Sequence, residues 1–425
     1  MNLSRSAVLL AALACVQSGA AAAAEETIEG VSFEAPDPGS GWERKGTPSF
    51  VAFQKTIEDD KGRKSSALIQ IAAPRKASPS AFDGAFTQFS TAVKDLEREK
   101  PSLKSGGVTA SGRRIRSEWR CCARVKGVSV SQRTVGVASD DTQVFVALIT
   151  FNMRGDPGKA ADAEFAKLVR SIKLDPDDSV ALTPAKGDGG LEGVFTHLDT
   201  GIRPNAFGGT DFYSESRIKV FDKSGLYSNR IPTDGDLAGH CASKPADCGL
   251  YALKGGGWFS GASEIELRDV VNDYGVITAR IRDFETDGDD IKIGKDRHNR
   301  LKPLETGTPL EGSWRYFFAS TGSTAFSSNS VSSERTLTFD TSGRFTRTGF
   351  SGASSSSDMG GGTTGFTVGG KRPEASGTYR IDGFTLTLTD EAGKVETFSI
   401  FAPDKGSEGL LVIGGANYLK KKAER

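Results

Sequence analysis

The sequence predicts an N-terminal α+β domain of sandwich type, followed by two tandem all-β domains that each form a small barrel. Residues 191–420 contain the same four sequence blocks twice, in the same order, which indicates a duplicated domain. Residues 27–174 contain apolar runs of strand length and two apolar stripes at helical spacing, which indicates mixed structure. The chain has 425 residues, too many for one hydrophobic core, so several domains are expected.

Residues 1–24 have the pattern of a secretory signal peptide. Arg5 precedes the apolar run Ala7–Ala14, and small residues continue to the end of the segment. The apolar run is too short to span a bilayer, and the small residues suit a cleavage site. The sequence therefore predicts export to the periplasm or medium of a bacterium. An alternative is a lipid anchor on Cys15, which ends a loosely lipobox-like stretch, and only then would the chain sit on a membrane.

Residues 25–175 are predicted to form the α+β domain. A helix is expected to begin at Ser78, with Pro79 in its first turn, and to end at Pro101. A second helix is expected from Asp156 onwards, and both helices carry a buried apolar stripe. The predicted strands are Val31–Ala35, Phe50–Phe53, Ala67–Ala72 and Val144–Phe151, the last a central strand covered on both sides. The stripes are Phe82, Phe86, Phe89, Val93 and Leu96 in the first helix, and Ala161, Phe165, Leu168, Val169 and Ile172 in the second.

Three short motifs of this domain are similar to the PsbP-like and DcrB-like family of exported bacterial domains. They are the opening Val31–Pro36, the strand end Leu148–Phe151 and the closing Phe165–Ile172. The resemblance covers about a third of the chain. It implies the same order of strands, helix, strands and helix, and an exported protein.

Residues 176–190 are polar and rich in turn formers, and they are predicted to be a linker. The two repeats follow at 191–308 and 309–425, with short alternating strands that suit a closed barrel. Residues 351–370, almost all Gly, Ser and Thr, are expected to form a mobile loop. The matching blocks are Leu191–Phe195 with Leu310–Trp314, Arg217–Ser228 with Arg335–Thr346, Gly249–Leu253 with Gly377–Ile381, and Ile293, Gly294, Leu301 and Lys302 with Ile413, Gly414, Leu419 and Lys420.

The second repeat resembles bacterial lipocalin-like domains. Gly312-Ser313-Trp314 looks like the Gly-x-Trp that opens the first lipocalin strand, although Phe195 replaces the tryptophan in the first repeat. The resemblance implies a barrel whose interior is either filled by side chains or holds one small apolar ligand. The aromatic residues that would fill the core or line a ligand cup are Phe195, Phe212, Tyr213, Phe221, Tyr227, Trp314, Phe317, Phe318, Phe339 and Phe345.

The charge balance excludes a generally basic or acidic protein. Lys plus Arg and Asp plus Glu both number 54, so no overall field attracts nucleic acid, and no nucleic-acid partner is expected. One local basic cluster lies in the strands of the first domain. It is either a polyanion-binding face or a solvated sheet face. Its members are Arg113, Arg114, Arg116, Arg120, Arg124 and Lys126.

Four cysteines follow the signal segment. Cys241 and Cys248 bracket a short loop and are predicted to form a disulfide, since export permits one. A zinc site that also uses His240 is the alternative. Cys121 and Cys122 are adjacent, and adjacent strand residues point to opposite faces, so two free thiols are expected there.

No motif in the sequence identifies a catalysed reaction. Residues 283–290 superficially match a calcium loop, but position twelve would be Gly294 instead of glutamate, so a hairpin turn is expected. His197 and His298 lie in β segments without a nucleophile motif, and no catalytic residue, cofactor or metal site is predicted.

The sequence therefore favours a non-enzymatic envelope protein that binds a small apolar ligand or an envelope protein through its barrels. Two alternatives remain open. One is an envelope enzyme with its active site at a barrel mouth, and the other is a purely structural surface protein.

Overall fold

The computed structural model describes residues 24–47, 50–58, 62–78, 80–92, 96, 98–153, 155–174, 190–233, 235–255, 261–324, 327–358, 363–403 and 409–421. Two predicted segments lie outside the described residues. They are the signal peptide up to residue 23, which includes Cys15, and the linker up to residue 189. The chain divides into two compact units, one made of Met1–Gly107 and Gly112–Val180, the other of Val108–Ser111 and Ala181–Arg425.

The first unit is built on an antiparallel sheet. A separate hairpin precedes it, and seven strands follow the order β3-β4-β5-β10-β9-β8-β7, with β6 pairing beside β10. Strand β10 lies between two partners and is buried along most of its length, as predicted for a central strand. The strands are β1 Glu25–Ile28, β2 Val31–Glu34, β3 Glu43–Thr47, β4 Phe50–Glu58, β5 Lys64–Ala72, β6 Arg75–Lys76, β7 Leu103–Val108, β8 Arg114–Val125, β9 Val128–Ala138 and β10 Thr142–Phe151.

Two α-helices accompany this sheet, α1 Phe82–Ser90 and α2 Gly155–Ser171, together with a 3-10 turn at Pro38–Ser40. Helix α2 buries the predicted stripe, but α1 ends well before the predicted Pro101. The hydroxyls of Ser90 and Thr91 both donate to the Thr87 carbonyl oxygen, a side-chain contact typical of a helix end. The unit is a β-sheet with few helices, so the prediction of an α+β domain was too helical. No helix among the described residues is long and apolar enough to cross a membrane.

The adjacent cysteines in β8 differ from the expectation. The strand pairing shifts register between Arg120 and Ala123, so the regular alternation of side chains is interrupted at this bulge. Cys121 and Cys122 therefore need not face opposite sides, and the structure bonds their sulfur atoms to each other.

The basic cluster of this unit is largely matched by carboxylates. Arg114 and Arg116 both reach Asp83, with N–O distances of 2.8 and 3.1 Å. Arg120 contacts the buried Glu118 at 3.0 Å. This arrangement favours a neutralised sheet face over a polyanion-binding face.

The second unit contains two closed barrels of eight antiparallel strands, and the predicted duplication into two barrel domains is confirmed. Each barrel closes by pairing its first strand with its last, Phe195 with Arg300 in barrel 1 and Trp314 with Lys420 in barrel 2. Barrel 1 consists of β11 Gly193–Pro204, β12 Thr210–Phe221, β13 Leu226–Ser228, β14 Cys248–Lys254, β15 Glu264–Val270, β16 Ile277–Asp287, β17 Asp290–Ile293 and β18 Asp296–Arg300, with a helix α3 Leu237–Ser243 and a 3-10 turn Pro245–Asp247 between β13 and β14. Barrel 2 consists of β19 Gly312–Thr324, β20 Ser327–Phe339, β21 Arg344–Asp358, β22 Thr363–Asp382, β23 Thr385–Asp390, β24 Val395–Phe401, β25 Leu410–Ile413 and β26 Ala416–Lys420.

The Gly, Ser and Thr stretch 351–370 is not the predicted mobile loop. Most of it belongs to β21 and β22, which pair in register from Gly349 with Arg372 to Asp358 with Thr363. Backbone hydrogen bonding within this long antiparallel ladder stabilises strands whose composition alone indicates a loop.

One tyrosine in each barrel holds the start of that barrel through the same hydrogen bonds, and we call these two residues, Tyr251 and Tyr379, the tyrosine fasteners. Tyr251 is buried and Tyr379 is half-buried. The Tyr251 hydroxyl accepts from the Leu191 N–H at 2.9 Å and lies 2.8 Å from the Leu191 carbonyl oxygen. The Tyr379 hydroxyl makes the corresponding contacts with Leu310, at 2.7 and 3.1 Å. The same sequence block therefore has the same structural role in both copies.

Candidate functional site

Most of the predicted aromatic residues fill the barrel cores. Phe195, Phe221 and Tyr227 are buried in barrel 1, and Phe221 packs edge-on against Tyr251 with ring centroids 4.8 Å apart. In barrel 2 the buried members of the predicted set are Trp314, Phe339 and Phe345. Phe212 and Phe317 are instead exposed, with 72% and 55% of their surface accessible.

Polar, ionisable side chains lie above the apolar core of barrel 1. His197 in β11 and His298 in β18 face each other across the strand pair that closes the barrel, with ring centroids 5.4 Å apart. Nδ1 of His197 lies 2.9 Å from the Arg297 carbonyl oxygen, whereas Nδ1 of the buried His298 has no hydrogen-bond partner among the described residues.

Lys219 in β12 lies on the same interior face. Alternate residues of a strand share a face, and Lys219 and Phe221 are two positions apart. Its ammonium lies 2.6 Å from the Asn229 side-chain oxygen and 4.7 Å from the centre of the Tyr227 ring. The amide oxygen and the ring face both favour the cationic form, but neither supplies a countercharge.

Two carboxylates complete the cluster, and each already has an arginine. Asp269 accepts from the Tyr227 hydroxyl and pairs with Arg280, and Asp199 pairs with Arg217. Side chains of both arginines are about half exposed, so the cluster reaches solvent at the barrel mouth. Among the described residues, Lys219 is then the one lysine or arginine of this cluster without a carboxylate in direct contact.

Burial shifts the pKa values of the central groups. Loss of solvation lowers the pKa of Lys219 to about 8, and the Arg280 and Arg217 charges act in the same direction, while Asp269 opposes them. Burial, with the nearby His197 and Lys219, lowers the pKa of His298 to about 4. At neutral pH the cluster therefore holds a neutral His298 beside a mostly charged Lys219.

At the positions of the two histidines, Lys219 and Tyr227, barrel 2 carries apolar or aromatic residues. Strand pairing places Tyr316 and Tyr418 where barrel 1 has the two histidines, and their ring centroids are 5.9 Å apart. Leu337 takes the position of Lys219, and Phe345 that of Tyr227. Other positions of the cluster stay charged, since Arg335 takes the position of Arg217 and Asp390 that of Asp269. The two histidines and Lys219 are therefore what distinguishes the site of barrel 1.

The two histidines are the site residues that sequence reasoning missed. The last sequence block was aligned with Leu301 equivalent to Leu419. The closing strand pairs, Phe195 with Arg300 and Trp314 with Lys420, instead make Arg300 equivalent to Lys420. The alignment was therefore shifted by two residues. The shift hid the correspondence of His298 with Tyr418, which would have marked an interior position.

The zinc site and the calcium loop considered from the sequence are, in the structure, a cysteine pair and a hairpin turn. Cys241 in α3 and Cys248 in β14 lie at disulfide distance, with Cα atoms 5.6 Å apart, and His240 lies 3.6 Å from Asp247. Residues 283–290 form the end of β16 and a turn into β17, as expected for a hairpin. No group of three metal-ligating side chains with metal-binding geometry occurs among the residues for which a structure is described.

Comparison with known proteins gives no relative. No protein-family model matches the chain, and no curated protein matches its sequence. The resemblance of the first domain to the PsbP-like and DcrB-like family is therefore unsupported, while the two barrels are consistent with lipocalin-like domains by their strand number and closure.

Proposed function

We propose that the protein is an exported, non-enzymatic binding protein of the bacterial envelope, in which barrel 1 binds a small anion. The observation that carries the proposal is Lys219, a partly buried lysine that stands where barrel 2 has Leu337. Barrel 2 serves as a packed structural partner.

An anion fits this cluster better than the apolar ligand expected from the sequence. The lower interior of barrel 1 is already filled by aromatic and aliphatic side chains, which leaves little reason for an apolar ligand to enter. A carboxylate or phosphate next to Lys219 would supply the missing countercharge through charge-assisted hydrogen bonds. Arg217 and Arg280 at the mouth would draw an anion towards it.

Isothermal titration calorimetry on the full chain tests this function with acetate, succinate, phosphate and the uncharged acetamide. Binding of at least one anion, absence of acetamide binding and a loss of affinity of at least tenfold in Lys219→Leu support the proposal. Lys292→Leu is the matched control, since Lys292 is an exposed lysine of the same barrel and pairs with Glu285 at 3.8 Å. Equal affinities for Lys219→Leu and Lys292→Leu would refute it.

An enzyme is the second candidate, because two histidines, a lysine and two carboxylates converge in one barrel. Lys219 would then act as the proton-transferring amine. Incubation of the full chain with a bound anion, followed by mass spectrometry of the small molecule, separates the two functions. A ligand recovered with unchanged mass favours binding, and a changed mass that requires Lys219 favours catalysis.

A further inference from the structure

The two barrels of the second unit contact each other at more than two places among the described residues, including a hydrogen bond from the Asn417 side-chain nitrogen to the Ser214 carbonyl oxygen at 3.0 Å. Near one place, an apolar cluster joins them through Val220 and Ile231 of barrel 1 and Phe401 and Val412 of barrel 2. Burial of such a cluster stabilises the contact in proportion to the apolar area removed from water.

The second contact is made by the tip of the β11–β12 hairpin. The side-chain nitrogen of Asn205 donates to the Thr321 carbonyl oxygen of β19 at 2.9 Å. Gly209 and Gly322 permit the approach of the two backbones, because a Cβ at either position would overlap a carbonyl oxygen of the other barrel. The hairpin tip therefore sits directly on β19.

A groove of about 1180 Å³ is lined by residues of both barrels in this region. We call it the inter-barrel groove. Its walls include Phe212 of β12, and Phe317 and Leu419 of barrel 2, which are 72%, 55% and 62% exposed. Large apolar side chains at these exposures contribute no core packing, and their concentration in one concave surface marks a binding site.

The charges that line the inter-barrel groove are mostly positive. Arg203 and Arg315 are paired, at 2.9 Å with Glu215 and at 2.8 Å with Glu334. Lys420 and Lys421 also line the groove, and no carboxylate oxygen of a described residue forms an ion pair with either ammonium. The Lys420 ammonium lies 5.6 Å from the centre of the Trp314 ring. They lie beside the first residues of β19, since Lys421 donates its N–H to the Ser313 carbonyl oxygen at 2.7 Å. The hairpin-tip contact is at the other end of β19.

We propose that the inter-barrel groove binds a single amphipathic anion, an unbranched apolar chain with a carboxylate at one end. The chain would lie against Phe212 and Phe317, and the carboxylate would lie at Lys420 and Lys421. Charge complementarity selects an anion over a cation or a neutral chain. This site is separate from the interior of barrel 1.

Dodecanoate binding to the full chain, measured by calorimetry below its micelle concentration, tests the proposal. Dodecyltrimethylammonium serves as the cation of equal chain length and acetate as the chainless carboxylate. We expect dodecanoate to bind at least tenfold more tightly than either. Equal affinities for the two dodecyl compounds, or absence of dodecanoate binding, would overturn the proposal.

Variants locate the site. Phe212→Ser and Phe317→Ser replace exposed side chains, so the fold is retained, and each is expected to weaken dodecanoate binding about tenfold through lost apolar contact. Phe350→Ser is the matched control, since Phe350 is 43% exposed on barrel 2 outside the groove. Lys420→Gln with Lys421→Gln is expected to abolish the preference for dodecanoate over dodecyltrimethylammonium. Identical affinities of Phe212→Ser, Phe317→Ser and Phe350→Ser would place the ligand elsewhere and overturn the proposal.

Two further measurements separate this site from its rivals. Lys219→Leu is expected to leave dodecanoate affinity unchanged and Phe212→Ser to leave small-anion affinity unchanged, so the groove and barrel 1 can fail independently. A ten-residue acidic peptide is the competing ligand. If the peptide binds in a Phe212-dependent manner and dodecanoate does not, the groove is a protein-docking surface and the amphiphile is excluded.

Discussion

At the scale of single residues, His298 links the site to the acid stability of the chain. Its folded pKa of about 4 lies below the ordinary value of 6.5, because burial and the neighbouring His197 and Lys219 disfavour the imidazolium. Between these pH values the unfolded chain binds more protons than the folded chain. Stability is therefore fully present above pH 6.5 and is lost as the pH falls towards 4.

We predict that His298→Tyr, which installs the residue found at the same position of barrel 2, flattens this loss. Urea unfolding at pH 7, 5.5 and 4.5 would show a smaller decrease in unfolding free energy for the variant than for the wild type. His298→Phe should behave alike, because the effect comes from removing the imidazole and not from the new hydroxyl. Parallel pH profiles for wild type and both variants would contradict the assignment.

Lys219 changes the unfolding free energy in the alkaline pH range. Its folded pKa of about 8 lies below 10.5, so the folded chain loses this proton first and the unfolding free energy gains a rising contribution between pH 8 and 10.5. We predict that Lys219→Leu lacks this contribution when wild type and variant are compared by urea unfolding from pH 7.5 to 9.5. Burial raises the pKa of Tyr251 to about 12, which opposes the trend at higher pH and sets the upper limit of the comparison. A difference between the two proteins that stays constant with pH would contradict the prediction.

At the scale of elements, the tyrosine fasteners explain why the first strand of each barrel stays in place. The Tyr251 hydroxyl bridges the chain before β11 to the turn after β12, since it also lies 2.9 Å from the Asp222 carbonyl oxygen. Tyr379 makes the same link to Asp340 at 3.0 Å. The Asp222 and Asp340 carbonyl oxygens also accept from a backbone N–H of their own turn, so the hydroxyls matter most for the N–H and carbonyl groups of Leu191 and Leu310.

We predict that Tyr251→Phe and Tyr379→Phe each lower the unfolding free energy by about 1–2 kcal/mol, the cost of unpaired backbone groups. The two losses should add, because the residues lie in different barrels and share no partner. Tyr213→Phe is the control, since its half-exposed hydroxyl only reaches Asp199 at 3.4 Å. A change in Tyr213→Phe as large as that in Tyr251→Phe would rule out the fastener.

The elements also show which features a sequence can predict. The repeated Asp-x-Ser-Gly turns, at Asp222 and Asp340, were found because a tight turn restricts residue type: each aspartate accepts the serine N–H, at 2.8 and 2.9 Å. Strands β21 and β22 were missed because their stability comes from the ladder between them and not from their composition. The His197 and His298 pair depends on how the last strand closes on the first, a register that adjacent sequence does not encode.

At the scale of the whole molecule, the barrels follow from the duplication, but the division of roles between them does not. Both copies keep the strand order, the turn and the tyrosine, which maintain the fold. The residues that distinguish them, such as Lys219 and Leu337, are interior positions where a polar residue has no local signature. The chemical difference between the two interiors therefore becomes visible only when the strand pairing aligns them.

Export is the remaining whole-molecule prediction. Cys241 and Cys248 lie at disulfide distance across α3, and such a bond persists in an oxidising compartment. We predict that the full chain, expressed in a bacterial host, is recovered from the periplasm with a mass that begins at Glu25. That mass is expected to be four hydrogens lower than that of the reduced chain, two for this bond and two for the bond between Cys121 and Cys122. Cys241→Ser should lower the unfolding free energy by about 2.5 kcal/mol, the loop-closure entropy of so short a loop.

Arg5→Glu, which removes the basic residue ahead of the apolar run, should retain the protein in the cytoplasm with its first 24 residues attached. A diacylglyceryl adduct on Cys15 would instead establish the lipid-anchored form, and a full-length mass in the periplasm would contradict both.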